Sequence, residues 1–168
     1  SGATQAAADA QLLIMAGCDA AVAEPLRPVF DAMGRKTLCL GQTGSGAVMK
    51  LAVNSLIHGI NQTVSEALTL AEAAGIAPDA AFDVIEASAA AAPMLGYRRP
   101  NYLDEENTAV TFTVSLARKD MEITAALAEA LGTAMPQGRI TLERLRAAEA
   151  QGYGARDMAA ILQFTRKG

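Results

Sequence analysis

Gly41-Gln42-Thr43-Gly44-Ser45-Gly46-Ala47-Val48-Met49-Lys50-Leu51-Ala52-Val53-Asn54 divides the chain into two parts of different character. Ahead of it, short apolar runs alternate with turn residues. Behind it, the periodicity is helical almost to the end. The glycines Gly41, Gly44 and Gly46 leave a candidate strand and open a helix. A loop of that kind lets backbone N–H groups approach an anion at a helix N-terminus. It would serve equally well as a tight strand-to-helix connection.

Downstream, Val48, Leu51, Leu56, Ile57, Ile60, Val64, Leu68 and Ala71 recur at three- and four-residue spacing. No proline interrupts the run, and Gly75 ends it. The spacing predicts one helix of about 28 residues, far beyond the ~11–12 residue average. A helix of that length is central to a bundle or forms a dimer interface. Pro78 and Asp79 begin a second helix, 79–87. The alanine-rich stretch 87–93 is compatible with helix or loop. Residues 97–111 carry Pro100, Asn101, Asp104 and Asn107 and are expected to be irregular. Helical periodicity resumes over 112–131, breaks at Gly132 and Pro136, and returns over 137–150. Gly152 and Gly154 make a turn, and Asp157 precedes a last short helix, 157–165.

Upstream, Gln11 to Gly17 reads as a buried strand. Asp19 is placed to N-cap a helix from Ala20 to Met33, with Gly34 as its C-cap. Lys36 to Leu40 is a second strand. Two or three strands do not make a stable open sheet by themselves. Residues 1–45 are therefore expected to be the tail of a larger α/β domain, and 46–168 an all-α domain.

Composition narrows the classes. The chain has 168 residues, 51% of them apolar and only 4% aromatic, with no Trp. The core must come from Ala, Leu, Val, Ile and Met, a mix that favours close helix packing. The net charge is −4, and Arg98-Arg99 is the longest basic cluster, so no nucleic-acid partner is expected. No apolar run approaches the ~20 residues that span a bilayer. No signal peptide opens the chain, and a soluble cytoplasmic protein is expected. Cys18 and Cys39 share no CxxC or Cys/His spacing and read as reduced, buried thiols; no metal site is expected.

The chemistry-bearing residues begin with Lys50 and Asn54, one turn apart on the long helix. His58, Asn61 and Ser65 fall on the same side, within roughly 80°. Solvated faces usually carry Glu, Lys and Arg, whereas this stripe holds amides and a lone His. Buried amides need partners, and a substrate or neighbouring chain can supply them. His58 taken alone reads as structural. Lys50 can exchange a proton if desolvation brings it towards neutrality. Placed in the first helical turn, it would also feel the positive end of the dipole. A second cluster, Phe112 to Asp120, sets Phe112, Leu116 and Lys119 on one helical face; an ordinary amphipathic helix with a Lys-Asp surface pair has the same pattern.

These segments resemble the 3-hydroxyisobutyrate dehydrogenase-like, or β-hydroxyacid dehydrogenase, family. Its G-x-x-G-x-G-x-x-x-K-x-x-x-N stretch is matched from Gly41 to Asn54, and its Phe-to-Lys-Asp spacing by Phe112, Lys119 and Asp120. A Ser-Gly-Gly signature with small residues, Leu, Met and Gly at fixed distances is matched by Ser1, Gly2, Ala7, Ala10, Leu12, Met15 and Gly17, with Ala3 in place of the second Gly. The resemblance runs to about Phe164. It implies a helical domain like the 6-phosphogluconate dehydrogenase C-terminal domain, built around one long helix and preceded by a remnant of a Rossmann-type dinucleotide-binding domain. It implies NAD or NADP as cofactor in the intact enzyme, a small hydroxy acid as substrate, and a homodimer or higher homo-oligomer.

It also implies roles. Lys50 corresponds to the catalytic lysine, Asn54 to a substrate-orienting residue, and Ser1, Gly2 and Ala3 to a loop holding the substrate carboxylate. Phe112 and Lys119 correspond to cofactor contacts. The family's G-x-G-x-x-G fingerprint is absent from the sequence, so the chain alone is expected to be inactive. Val53 stands where 6-phosphogluconate dehydrogenases carry His, which points to a small hydroxy acid. Lys50 separates the chain from imine reductases, which generally replace that lysine. The rival reading is a helical dimerisation or interaction module without catalysis, with Lys50 on its surface.

Overall fold

Leu12–Ala16 (β1) and Gly34–Cys39 (β2) pair in parallel, running from Leu12 opposite Gly34 to Ala16 opposite Cys39. The computed structural model describes residues 1–168, except for the side chains of Ala3 and Thr4. Parallel strands need a crossover. Here it consists of helix α2 (Ala20–Ala23), a 3-10 turn over Glu24–Leu26, and helix α3 (Arg27–Met33). The single helix expected over this span is thus broken. Pro25 and Pro28 each open a new piece, because proline brings no N–H to a continuing helix.

Gly34 is no left-handed C-cap. Its φ of −145° and ψ of 151° are extended, and it opens β2. A Cβ there would stand 2.4 Å from the Leu12 carbonyl oxygen, so strand packing selects the glycine. Ahead of the strands lies a short helix α1 (Ala3–Ala8), which the sequence reading did not foresee. Cys18 and Cys39 are free thiols, half-buried where full burial was expected.

The long helix, α4, runs Ser45–Ala73, 29 residues. It ends as predicted. Gly75 takes φ +85°, its N–H donates to Glu72 O at 2.9 Å, and Ile76 N–H donates to Ala71 O at 3.0 Å. That pair of bonds satisfies carbonyls left open at a helix C-terminus.

The chain forms two compact units, Ser1–Asn54 and Ser55–Gly168, with the boundary inside α4. The second unit holds the rest of α4, then α5 (Pro78–Ala87), α6 (Pro93–Leu103), α7 (Val114–Ala130) and α8 (Pro136–Ala148). A short π-helical turn (Glu149–Tyr153), a 3-10 turn (Met158–Ala160) and α9 (Ile161–Arg166) follow. Pro78, Pro93 and Pro136 each sit in a first turn, where the missing N–H costs nothing. The core is largely aliphatic, as the composition suggests, with Leu68, Leu95, Val114, Met121 and Leu162 almost wholly buried, but Phe82, Tyr102, Tyr153 and Phe164 are buried in it as well.

Residues 93–103 form a helix with Pro100 inside it, so that 97–103 is helical where irregular chain was expected. Tertiary contacts override composition there. Arg98 and Tyr102 project into the core and are bonded on arrival, Arg98 to Asp157 and Tyr102 to Asn61. Among the described residues no helix is long and apolar enough to cross a membrane, and no cluster of acidic, His or Cys side chains can hold a metal.

Candidate active site

In the first unit, the glycine loop delivers α4 to β1. Gly44 has φ +93°, a conformation open to glycine at little cost. At Gly46 a Cβ would come 2.1 Å from Met15 O, so only glycine lets the first turn of α4 approach the strand so closely. Ser45 N–H donates to Gln42 O at 3.1 Å, so that amide closes the turn and is not offered to an anion. Lys50 and Asn54 follow one turn apart, both half-buried. Because α4 begins at Ser45, Lys50 lies in its second turn, not its first. The dipole argument, confined to the first turn, no longer applies to it.

Ser1 and Gly2 are exposed. The Ser1 ammonium donates to Leu13 O at 2.7 Å and Ser1 O accepts from Leu13 N–H at 2.9 Å, which lays the start of the chain along β1. Ala3 falls outside the residues whose side chains are described.

In the second unit, the stripe continues, but with partners of its own. His58, Asn61 and Ser65 are all at most 3% exposed. Asn61 Nδ2 donates to Met158 O at 2.9 Å, and its Oδ1 accepts from the Tyr102 hydroxyl at 2.5 Å. Ser65 Oγ donates to Asn61 O at 2.7 Å. Neither the Asn61 amide nor Ser65 awaits a substrate or neighbouring chain; the helical unit supplies the partners that were expected from outside. Burial, against the opposing charge of Arg98, pushes the Tyr102 phenol far above its ordinary range.

Phe112 does not share a helical face with Leu116 and Lys119, since α7 begins at Val114 and Thr113 caps it, its hydroxyl accepting from Leu116 N–H at 3.2 Å. Phe112 lies just outside, its ring stacked 5.8 Å from that of His58. Its backbone is pinned at both groups: the carbonyl accepts from Met158 N–H at 2.8 Å, and the N–H donates to Asp157 Oδ2 at 3.3 Å. Asp157 also accepts from Arg98 Nη1 (2.8 Å), Thr111 N–H (2.9 Å), Thr111 Oγ1 (3.1 Å) and Ala159 N–H (3.0 Å). The sequence marked Asp157 only as a helix start, and its long-range role left no local signal. Lys119 has a side chain 55% exposed, with its Nζ 3.5 Å from Asp120 Oδ1. Asp120 itself is 2% exposed, so the expected surface pair is half interior.

Two family models match the chain. "NAD-binding of NADP-dependent 3-hydroxyisobutyrate dehydrogenase" covers residues 44–165, and "NAD binding domain of 6-phosphogluconate dehydrogenase" covers residues 1–41. Glyoxylate/succinic semialdehyde reductase 1 of Arabidopsis thaliana is 32% identical over 97% of this chain and 56% of its own length. A solved 3-hydroxyisobutyrate dehydrogenase from Salmonella typhimurium superposes with TM-score 0.86 at 29% identity, over 98% of this chain and 57% of that one. The Mycobacterium tuberculosis 3-hydroxyisobutyrate dehydrogenase, solved with L-serine, superposes with TM-score 0.88 at 25% identity, over 99% and 59%. The chain thus spans about half the length of the curated relatives it matches. Both models being NAD-binding ones, the expectation of NAD or NADP stands. With a family model matching most of its length, the chain belongs to the 3-hydroxyisobutyrate dehydrogenase-like family of oxidoreductases.

Proposed function

We propose that the intact protein is an NAD(P)-dependent enzyme interconverting a small β-hydroxy acid and its oxo acid or semialdehyde, with Lys50 as the proton-transfer group. One observation carries the reading: a half-buried lysine and a half-buried amide stand one turn apart on α4, directly after a glycine loop pressed against β1. Membership of an oxidoreductase family supports reading that arrangement as a catalytic site.

The bound nicotinamide supplies the hydride acceptor or donor. Lys50 Nζ takes up the proton of the substrate hydroxyl during oxidation and returns it during reduction. Asn54 orients the substrate by hydrogen bonds to its hydroxyl or carboxylate. Ser1, Gly2 and Ala3 hold the carboxylate. The side chains of the second unit fit a nicotinamide nucleotide in kind: Phe112 offers an aromatic wall held rigid by Asp157 and His58, and Lys119 a half-exposed ammonium for polar or anionic groups.

The substrate class draws support from relatives. L-serine, present with the M. tuberculosis enzyme, carries its hydroxyl β to the carboxylate. The A. thaliana relative is named for glyoxylate and succinic semialdehyde. Leu56 and Leu70, 64% and 73% exposed on α4, support a homo-oligomer, because large apolar side chains on one helix face favour a partner. The test is NAD(P)-linked turnover of the intact protein on a panel of small β-hydroxy acids and the matching semialdehydes. Turnover of at least one pair is expected. No reaction with any of them would overturn the proposal and leave a helical interaction module in its place.

A further inference from the structure

The bonds that pin Phe112 act on its backbone, not on its ring. Its N–H donates to Asp157 Oδ2 at 3.3 Å, and its carbonyl accepts from Met158 N–H at 2.8 Å. They fix where Cβ stands. They leave χ1 its three staggered wells and χ2 a broad one. What limits the ring comes from α4. Asn61 Nδ2 donates to Met158 O at 2.9 Å, which secures the segment that holds the Phe112 carbonyl. Nearly one turn earlier on the same helix, the His58 imidazole lies against the Phe112 ring, with centroids 5.8 Å apart and planes inclined by 28°. Offset-stacked rings favour separations of ~4.5–7 Å. His58 is 3% exposed and packed on a 29-residue helix, so it has no room to swing aside, whereas Phe112 is only half-buried.

We propose that His58 is a positioning residue for dinucleotide binding: its imidazole selects the one Phe112 rotamer that serves as the nicotinamide wall. The proposal rests on the cofactor role of Phe112 given above. Taken alone, His58 reads as structural; its stacking on Phe112 gives it a second task, carried out through that ring and not by a contact of its own with the dinucleotide. Without a flat neighbour the Phe112 ring divides itself among its wells and is competent roughly a third of the time or less. The apparent dissociation constant rises by the reciprocal of that fraction, ~3–10-fold. Such a loss weighs on ground state and transition state alike, so it enters KM for the dinucleotide more than kcat.

The experiment titrates the intact protein with NADH and with NADPH by fluorescence, and measures KM, kcat and the thermal midpoint beside it. His58→Leu fills the space without a flat ring, and His58→Phe keeps one. If His58→Leu does not fold, His58→Gln takes its place. Phe112→Leu and the double variant complete a cycle. The expected result is dinucleotide binding ~3–10-fold weaker in His58→Leu, most of it recovered in His58→Phe, and a double variant no weaker than Phe112→Leu alone. KM for the dinucleotide rises by the same factor, and KM for the hydroxy acid does not. Unchanged affinity in His58→Leu, where Phe112→Leu binds weakly, overturns the role of His58 and leaves that of Phe112 standing. Additive losses overturn the route through Phe112. Losses that only follow a lowered thermal midpoint overturn positioning in favour of a purely structural part. If Phe112→Leu binds as wild type does, or wild type binds neither dinucleotide, the cofactor reading itself fails and the proposal falls with it.

Discussion

The two halves of α4 carry the same kind of side chain and put it to different use. Beyond the unit boundary, Asn61 and Ser65 are buried, and Met158, Tyr102 and the helix backbone meet their hydrogen-bonding needs. Before it, Lys50 and Asn54 are only half-buried, next to a loop shaped by close backbone approach. A polar stripe on a helix is therefore not one feature. The buried part stabilises the fold, and on the proposed function the half-buried part serves the chemistry. On this account, substitutions in the second unit cost stability, and substitution of Lys50 costs turnover.

The largest effect expected on the structural side is at Asp157. Asp157→Ala leaves the Arg98 guanidinium buried without its carboxylate and frees the Thr111-Phe112 backbone, costing about 3–5 kcal/mol in a denaturant titration. A cost under about 1 kcal/mol would show that this network does not organise the helical unit. Asn61→Ala removes two buried hydrogen bonds and strands Tyr102 and Met158 O, so roughly 2–3 kcal/mol is expected by the same measurement. If it instead left stability intact and lowered turnover, the division between the halves of α4 would be wrong.

Tyr102 gives a pH-dependent check. Its folded-state phenol is raised above the unfolded value, so its contribution is fully present below ~10 and is lost as pH rises further. The unfolding free energy should fall by about 1.4 kcal/mol per pH unit above that point, and Tyr102→Phe should remove the slope. The smallest effect is at Thr113, whose hydroxyl caps α7. Thr113→Ala should cost about 1 kcal/mol, and Thr113→Ser should restore most of it.

Much of this was legible in the sequence, for physical reasons. The long helix announced itself through eight apolar residues on a 3.6-residue period and a glycine stop, and it lies within a residue or two of the predicted span. The strand pair was legible from short apolar runs closed by turns. What failed to show was whatever depends on distant partners. Helix α6 was hidden by Pro100 and Asn101, because Arg98 and Tyr102 earn their places only through Asp157 and Asn61, 59 and 41 residues away. Phe112 was set on the wrong element because Thr113 could be a helix interior or a cap, and the Asp157 contacts decide it. Of the candidate site, the Lys50-Asn54 spacing was readable because it is local; the anchoring of Phe112 was not.

The most direct measurement is kcat and the thermal midpoint of Lys50→Ala beside wild type, in the intact protein with the best β-hydroxy acid of the panel. The account predicts a fall of ~10²-fold or more in kcat with the midpoint nearly unchanged. Unaltered turnover, or turnover lost only in step with unfolding, would contradict it.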